Sequence, residues 1–189
     1  TMIDPDTLNT GMKEYLVKIR WDDYDINQDV YWTGNIVLNE RLNLMTDNNV
    51  YLWQSKSVNQ IPKDSVSGIF AKTTIFTCNN NSHFIMQPSS NMFIAEKSSF
   101  VMNSGSNLNI NNKATITVEE GSTLFVKANA NLSISGEGKI IIKSGAFICI
   151  EPGVNLNLSD PDNQIKLETG AIIGKNPKLF EAGICSELK

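Results

Sequence analysis

The sequence predicts an all-β protein with a parallel β-helix fold, a three-sided solenoid of roughly six coils with about 24 residues each. From Phe84 onward, triplets of the type apolar-x-apolar recur every eight residues. Alternation with a period of two indicates a short strand with one buried face. The residues between the triplets are mostly Ser, Asn, Gly, Lys and Glu, which are typical of turns. We expect the solenoid to be right-handed, as parallel crossovers generally are.

Polar residues distinguish this coil from hairpins and from a two-sided coil. An asparagine, or once a histidine, precedes every third triplet, so that these positions lie 24 residues apart. Stacked amides hydrogen-bond along the axis of such a coil. A second column alternates Asn and Gly, which indicates a left-handed backbone position. The predicted asparagine ladder consists of Asn35, Asn59, His83, Asn107, Asn131 and Asn155.

The ends of the repeat set the predicted domain boundaries. Residues 1–29 are expected to cap the first coil, with Trp21 and Trp32 packing over its open end, because uncapped coils expose strand edges. Residues 30–175 form the solenoid, interrupted by an irregular loop at about 55–68. Residues 176–189 are expected to form the cap at the other end.

Several stretches resemble the β-solenoids of secreted surface proteins from the Bacteroidetes. These proteins share a Trp-x-Gly-x-Ile entry, here Trp32 to Ile36, followed by repeats of the type Gly-x-x-Leu-x-Ile, as at Gly121 and Gly145. The resemblance covers about residues 28–176. It implies export to the cell surface or the medium, and it brings no catalytic residues.

Composition excludes several classes of protein. Charged residues make up 19% of the chain and the formal net charge is −4, which disfavours nucleic acid and polybasic membrane binding. No apolar run approaches the roughly 18 residues of a membrane helix. Cys78, Cys149 and Cys185 form no CxxC pair, and their odd number argues against a fully paired disulfide framework.

Apolar residues also occur at outward positions. Contiguous exposed apolar surface is commonly an interaction site, so we predict self-association or a protein partner here. Cover by a terminal segment and a ligand groove are the alternatives. The predicted outer apolar stripe consists of Val101, Phe125, Cys149 and Ile173 on the third side, with Phe93 and Ile141 on the second.

An acidic motif before the first coil has the alternating oxygen ligands that calcium prefers. A calcium loop of the EF-hand type requires Gly and Glu where Gln28 and Gly34 stand. We therefore interpret the motif as a solvated acidic turn and predict no cofactor, with calcium as the alternative. The candidate ligands are Asp23, Asp25, Asn27 and Asp29.

Outward carboxylates show no catalytic pairing. Catalytic β-helices place two or three carboxylates on one outward face, whereas the acids here alternate with lysines along a column, an arrangement that avoids like-charge repulsion. The two alternating columns are Glu119, Lys143, Glu168 and Lys127, Glu151, Lys175.

The sequence thus predicts a non-enzymatic extracellular module, secreted or at the cell surface, that acts as a structural spacer or in adhesion or assembly. A carbohydrate-binding or polysaccharide-active β-helix is the alternative. It would use the polar side that contains Asn109, Ser133 and Asn157, or the loop at 55–68 with Trp53.

Overall fold

In the computed structural model the chain winds through three parallel six-stranded sheets, which confirms the predicted three-sided β-helix. The structure describes residues 24–32, 35–38, 41–52, 74–96, 98–175 and 185. Sheet A contains β1 (Tyr24–Ile26), β4 (Arg41–Leu44), β7 (His83–Met86), β10 (Asn107–Ile110), β13 (Asn131–Ile134) and β16 (Asn155–Leu158). Sheet B contains β2 (Val30–Trp32), β5 (Asn49–Leu52), β8 (Asn91–Ile94), β11 (Thr115–Val118), β14 (Lys139–Ile142) and β17 (Ile165–Leu167). Sheet C contains β3 (Asn35–Leu38), β6 (Ile75–Cys78), β9 (Ser99–Met102), β12 (Thr123–Val126), β15 (Phe147–Ile150) and β18 (Ile172–Ile173).

Turn length becomes regular at β7. From there the strands of sheet A stack at 24-residue intervals, for example Asn131 on Asn107. Earlier, Asn43 bonds Asp25 across a separation of 18 residues, and Asn91 bonds Asn49 across 42. The first turn is therefore shorter than the repeat and the second contains an insertion. The loop predicted at 55–68 belongs to this insertion and lies outside the described residues.

The core follows from the alternation within each four-residue strand. The second and fourth residues point inward, and Leu108 and Leu132 are both fully buried at successive levels. Burial of such a side chain stabilises the fold by about 1.5–3 kcal/mol. Aromatic rings fill the core where the turns are irregular: the Phe76 ring centroid lies 5.1 Å from that of Phe100 and 5.2 Å from that of Trp32.

At the corners the chain changes direction through residues with a left-handed backbone conformation, as the column of Asn and Gly residues predicted. Asn81, Gly105 and Asn129 have φ values of 64°, 74° and 62°. A side chain at Gly105 would also meet a neighbour, because its Cβ would lie 2.0 Å from the Asn80 Oδ1. A small residue then closes the corner: the Ser106 hydroxyl donates to the Asn103 carbonyl oxygen at 2.7 Å.

The last turn is one residue longer than the repeat. Its corner between sheets A and B forms a short helix, α1 (Pro161–Gln164). The Gln164 side chain is buried, and its Nε2 donates to the Gly136 carbonyl oxygen at 3.0 Å. Its Oε1 accepts a hydrogen bond from the Asp160 backbone N–H at 3.0 Å. Gln164 thereby attaches the wider corner to the turn before it.

The extra residue shifts all later pairing by one position. Ile165 pairs with Ile140, and in β18 Ile173 pairs with Ile148 rather than with Cys149. A strict period of 24 would stack Ile172 on Ile148, but Ile172 pairs with Phe147. The extra residue is visible in the sequence, and it shifts the pairing of β18 as well as that of β17.

The two ends of the solenoid differ. At the first end, the sheets already begin at Tyr24, whereas residues 1–29 were predicted as a separate cap; residues 1–23, with Trp21, lie outside the described part of the chain. The inward residues of this first turn, Ile26, Ile36 and Leu38, are buried. At the other end, large apolar side chains are 38–42% exposed. They are Leu156, Leu167, Ile172 and Ile173.

Candidate functional site

The outer face of sheet C carries most of the predicted outer apolar stripe. Val101, Phe125 and Cys149 pair in register on β9, β12 and β15. They are not exposed, however, since their exposed fractions are 6%, 4% and 0%. All four residues of β9 and of β12 are buried, whereas strands of sheets A and B generally alternate between buried and half-buried residues. We call Val101, Phe125 and Cys149 the covered stripe.

A disulfide explains part of this burial. Cys149 is bonded to Cys185, 36 residues further along the chain, with a Cα–Cα distance of 5.1 Å. Cys185 and Ile75 pack against the covered stripe. The residues on either side of Cys185, 176–184 and 186–189, lie outside the described part of the chain, and so does the cap predicted there. Intrachain cover, one of the alternatives for the stripe, is the one that agrees with these contacts.

A lysine completes the surroundings of Phe125. The Lys175 Nζ lies 4.4 Å from the centroid of the Phe125 ring, within the range of a cation–π contact. The same ammonium is 3.3 Å from the Glu151 Oε1. The predicted alternation of charges in this column is thus present, and it closes one side of the covered stripe.

The remaining predicted stripe residues lie elsewhere. Ile173 stacks on the inward residue Ile148 at the open end, so its placement in the stripe is wrong. Phe93 and Ile141 are half-buried on the outer face of sheet B, with Thr117 between them. The Phe93 ring is stacked on Tyr51, with centroids 5.0 Å apart and planes 9° from parallel. One face of the Phe93 ring is therefore covered by the Tyr51 ring.

The asparagine ladder is present in the regular turns. The Nδ2 of Asn155 donates to the Oδ1 of Asn131, and the Nδ2 of Asn131 to the Oδ1 of Asn107, each at 2.9 Å. His83 pairs with Asn107 and Arg41 in the same column. The prediction is wrong for Asn35, which lies in β3 of sheet C and pairs with Ile75, because the insertion in the second turn breaks the period of 24. Asn59 lies outside the described residues.

Two other amide contacts repeat the pattern at different corners. The Nδ2 of Asn103 donates to the Oδ1 of Asn79 at 2.9 Å, and that of Asn91 to the Oδ1 of Asn49 at 3.1 Å. Amide stacking is therefore a general device of these turns. It satisfies polar groups along edges that the apolar core does not reach.

The acidic motif contributes to the turns rather than to a cluster. The Oδ1 of Asp25 accepts from the Nδ2 of Asn43 at 2.6 Å, and the Oδ1 of Asp29 accepts from the backbone and side-chain N–H groups of Asn49 at 2.9 and 2.8 Å. Asn27 is exposed, and Asp23 lies outside the described residues. Among the described residues, no three His, Cys, Asp or Glu side chains are grouped so that they could hold a metal ion.

The predicted polar side is the outer face of sheet A. Asn109, Ser133 and Asn157 stack there in register, and the Nδ2 of Asn157 lies 3.4 Å from the Ser133 Oγ. A shallow depression adjoins this face at the corner from sheet C. Its lining is polar and includes one lysine: Asn79, Asn80, Asn103, Ser104, Gly105, Lys127 and Asn129.

The third cysteine is a structural residue. Cys78 is a free thiol buried in the core column of sheet C. Burial raises the pKa of this thiol well above its ordinary value, while a hydrogen bond with the Ser82 side chain acts weakly in the opposite direction. Because the thiolate is the reactive species, Cys78 is chemically inert in the folded protein.

Sequence reasoning missed Cys185. Its partner could not be identified because the bond joins a repeat position to a residue outside the repeat. The odd number of cysteines was the available signal, since it allows one disulfide and one free thiol as well as three free thiols.

Within the described residues, no helix has the length and apolar character needed to cross a membrane. Comparison of the chain with models of protein families, with curated proteins and with solved structures finds no match.

Proposed function

We propose that this chain is an exported structural module, a stiff rod that acts as a spacer or in adhesion or assembly. The observation that supports this most is the continuous core: inward side chains stack from turn to turn through all three sheets. In a solenoid each turn contacts only its neighbours, and the whole behaves as a quasi-one-dimensional body. Such a body holds its two ends apart at a fixed distance.

The disulfide supports export. Disulfides persist in oxidising environments and are rare where thiols are kept reduced. Cys149 and Cys185 are joined, whereas Cys78 is protected by burial rather than by bonding. This agrees with the resemblance to secreted surface solenoids, and we place the protein at the cell surface or in the medium.

The carboxylates with resolved contacts support a non-enzymatic role. Glu168 and Glu151 each bind a lysine one turn away, at 2.7 and 3.3 Å. The Glu151 Oε2 also accepts a hydrogen bond from the backbone N–H of Ala128 at 3.0 Å. A general acid or base needs a carboxyl group free to exchange protons with a substrate, and these two groups are engaged in holding adjacent turns together.

Carbohydrate binding remains the second candidate. The stacked amides and hydroxyls on the outer face of sheet A offer regularly spaced donors and acceptors along the rod, and the depression beside it adds Lys127. The described third strand residues of this face in the last three turns are Asn109, Ser133 and Asn157, and none of these is an aromatic platform for a sugar ring.

A measurement of the stiffness of the solenoid tests the proposal that it acts as a spacer. Spin labels attached through non-natural amino acids at Asn43 and Asn157, which are outward residues of β4 and β16, would lie four strand spacings apart. At about 4.8 Å per spacing, we expect a narrow distance distribution near 20 Å by pulsed electron resonance. A broad distribution would contradict a rigid rod.

A glycan array and binding to insoluble polysaccharides test the second candidate. For a spacer we expect no binding. Micromolar binding that is lost on Asn109→Ala, and kept on the matched change Thr117→Ala on sheet B, would replace the spacer by a carbohydrate-binding surface.

A further inference from the structure

The outer face of sheet C differs from the other two faces. The third strand residue points outward in each sheet, and on sheets A and B it is generally half-buried, as at Asn109 and Ile141. On sheet C the corresponding Val101 and Phe125 are buried, and so are the first residues Ser99 and Thr123. This face is therefore covered along at least two turns of the solenoid.

The described contacts place one part of the chain against this face. Cys185 packs against Val101, Phe125 and Cys149, and it is covalently attached to the last of these. Because Cys149 belongs to β15, a strand in the interior of the sheet, Cys185 lies beside the rod rather than past its end.

Some buried hydroxyl groups on the covered face of sheet C have no hydrogen-bond partner. They are the hydroxyl oxygens of two outward strand residues, Ser99 Oγ and Thr123 Oγ1. Buried polar groups without partners oppose the burial. The apolar contacts of Val101 and Phe125 favour it, and the disulfide adds a covalent restraint. The cover is thus held by apolar contact and one bond, with unsatisfied hydroxyls beneath it.

We propose that the outer face of sheet C is an intramolecular docking site for the stretch of this chain that carries Cys185, and that the Cys149–Cys185 bond is what keeps this stretch in place. Reduction of the bond releases the stretch and exposes Val101 and Phe125, while the solenoid itself stays folded. The solenoid survives because its core cluster, with Phe76, Phe84 and Phe100, is separate from the covered stripe.

The reaction needs a dithiol as reductant. One thiolate of the dithiol attacks the Sγ of Cys185, which is less buried than that of Cys149, and forms a mixed disulfide. The Cys149 sulfur leaves as a thiolate and takes up a proton. The second thiolate of the dithiol then displaces the Cys185 sulfur, which is also protonated, so that the reductant ends as a cyclic disulfide and both cysteines as thiols.

Thiol counting on the full chain tests the proposal, because Cys78 reports whether the solenoid has opened. In denaturant, the oxidised protein is expected to react at one thiol, and under native conditions at none. After the dithiol has acted and been removed, two thiols are expected to react under native conditions while Cys78 stays silent. Binding of a hydrophobic dye is expected to rise several-fold at the same time.

Three results would overturn it. Three reactive thiols in the denatured, unreduced protein would mean that the bond is absent. A reduced protein in which Cys149 stays unreactive would mean that the face remains covered without the bond. Reaction of Cys78 under native conditions would mean that reduction unfolds the whole solenoid.

Variants locate the exposed surface. Cys185→Ser is expected to bind the dye without any reductant and to react at Cys149 alone. Adding Phe125→Ser to this variant is expected to abolish most of the increase, whereas the matched change Phe93→Ser on sheet B is expected to leave the increase unchanged. Equal effects of the two phenylalanine changes would refute the assignment to sheet C.

Discussion

At the scale of single residues, the asparagine ladder shows how a polar column stabilises a coil. Asn131 uses both ends of its amide: it donates to Asn107 and accepts from Asn155, each at 2.9 Å. The same geometry recurs because the strands are in register, so one side chain satisfies the next along the axis. The amides thus link successive turns at the edge of sheet A.

We predict that Asn131→Ala destabilises the protein about twice as much as Asn155→Ala. The first change removes two hydrogen bonds and the second removes one, at about 0.5–1.5 kcal/mol each. Urea unfolding measures the difference, and Ser133→Ala, an outward change in the same strand, is the control and should cost under about 0.5 kcal/mol. Equal losses for the two asparagine changes would show that the ladder is not cooperative along the axis.

The exposed ion pair of Lys143 and Glu168 predicts how the stability of the fold changes with pH. The hydrogen bond from Lys143 lowers the pKa of Glu168, and the same bond raises the pKa of Lys143. The pair therefore stabilises the fold above the ordinary pKa of a glutamate, and this contribution is lost as the pH falls through the lowered pKa of Glu168. It is likewise lost in alkali, as the pH rises through the raised pKa of Lys143.

We expect Lys143→Met to be slightly less stable than the wild type at neutral pH and equal to it in acid. The difference is expected to be small because both side chains are exposed. Denaturant unfolding at the two pH values measures it, with Lys139→Met, at the start of the strand that Lys143 follows, as control. A difference that grows in acid would contradict the assignment of the stabilising contact.

At the scale of elements, the strands could be predicted because each repeats the same two constraints, an inward apolar pair and a left-handed corner. Where an insertion or a short turn breaks the repeat, the predicted positions of residues in the sheets were less accurate. The insertion in the second turn moved Asn35 from the predicted sheet A to sheet C, and the extra residue at α1 moved Ile173 from an outward to an inward column. Period-based reasoning does not determine how an insertion propagates, because that depends on how the corner absorbs it.

The inward leucines of sheet A allow a comparison within one column. Leu132 is 1% exposed and is packed between two turns, whereas Leu156 occupies the same column at the open end and is 42% exposed. We predict that Leu132→Ala costs about 2–5 kcal/mol, through the lost contacts and the cavity that remains. Leu156→Ala should cost about 1 kcal/mol or less.

Chemical denaturation of both alanine variants tests this prediction. The Cys78 thiol, which reacts only when the core opens, provides a second readout. Equal costs for the two leucines would mean that the end turn is as well packed as the interior, contrary to its exposure.

At the scale of the whole molecule, the fold was predictable and the covered stripe was not. The architecture follows from a repeat that is visible in the sequence, since every turn repeats the choice of the one before it. Cys185 packs against the covered stripe, but it lies outside the repeat and 36 residues from its partner. A pattern of exposed and buried positions within strands cannot show which outward face a distant segment will cover.

The open end of the solenoid is the second feature of the whole molecule with a measurable consequence. Its apolar residues Leu167, Ile172 and Ile173 are exposed beside β17 and β18, which are the last strands of their sheets among the described residues. Strand edges of this kind pair readily with other strands. At the first turn the described inward residues are buried or partly buried, so the larger exposed apolar surface among the described residues lies at the last turn.

We therefore predict weak tail-to-tail association through the last turn. The wild type should show a weight-average mass that rises with concentration in multi-angle light scattering. Ile172→Lys and Leu167→Lys should each keep the protein monomeric, because a charge at an edge opposes pairing. Ile141→Lys, on the side of the rod, should associate like the wild type. If the Ile141 variant lost association while the end variants kept it, the contact would lie on the side of sheet B and the open end would be inert.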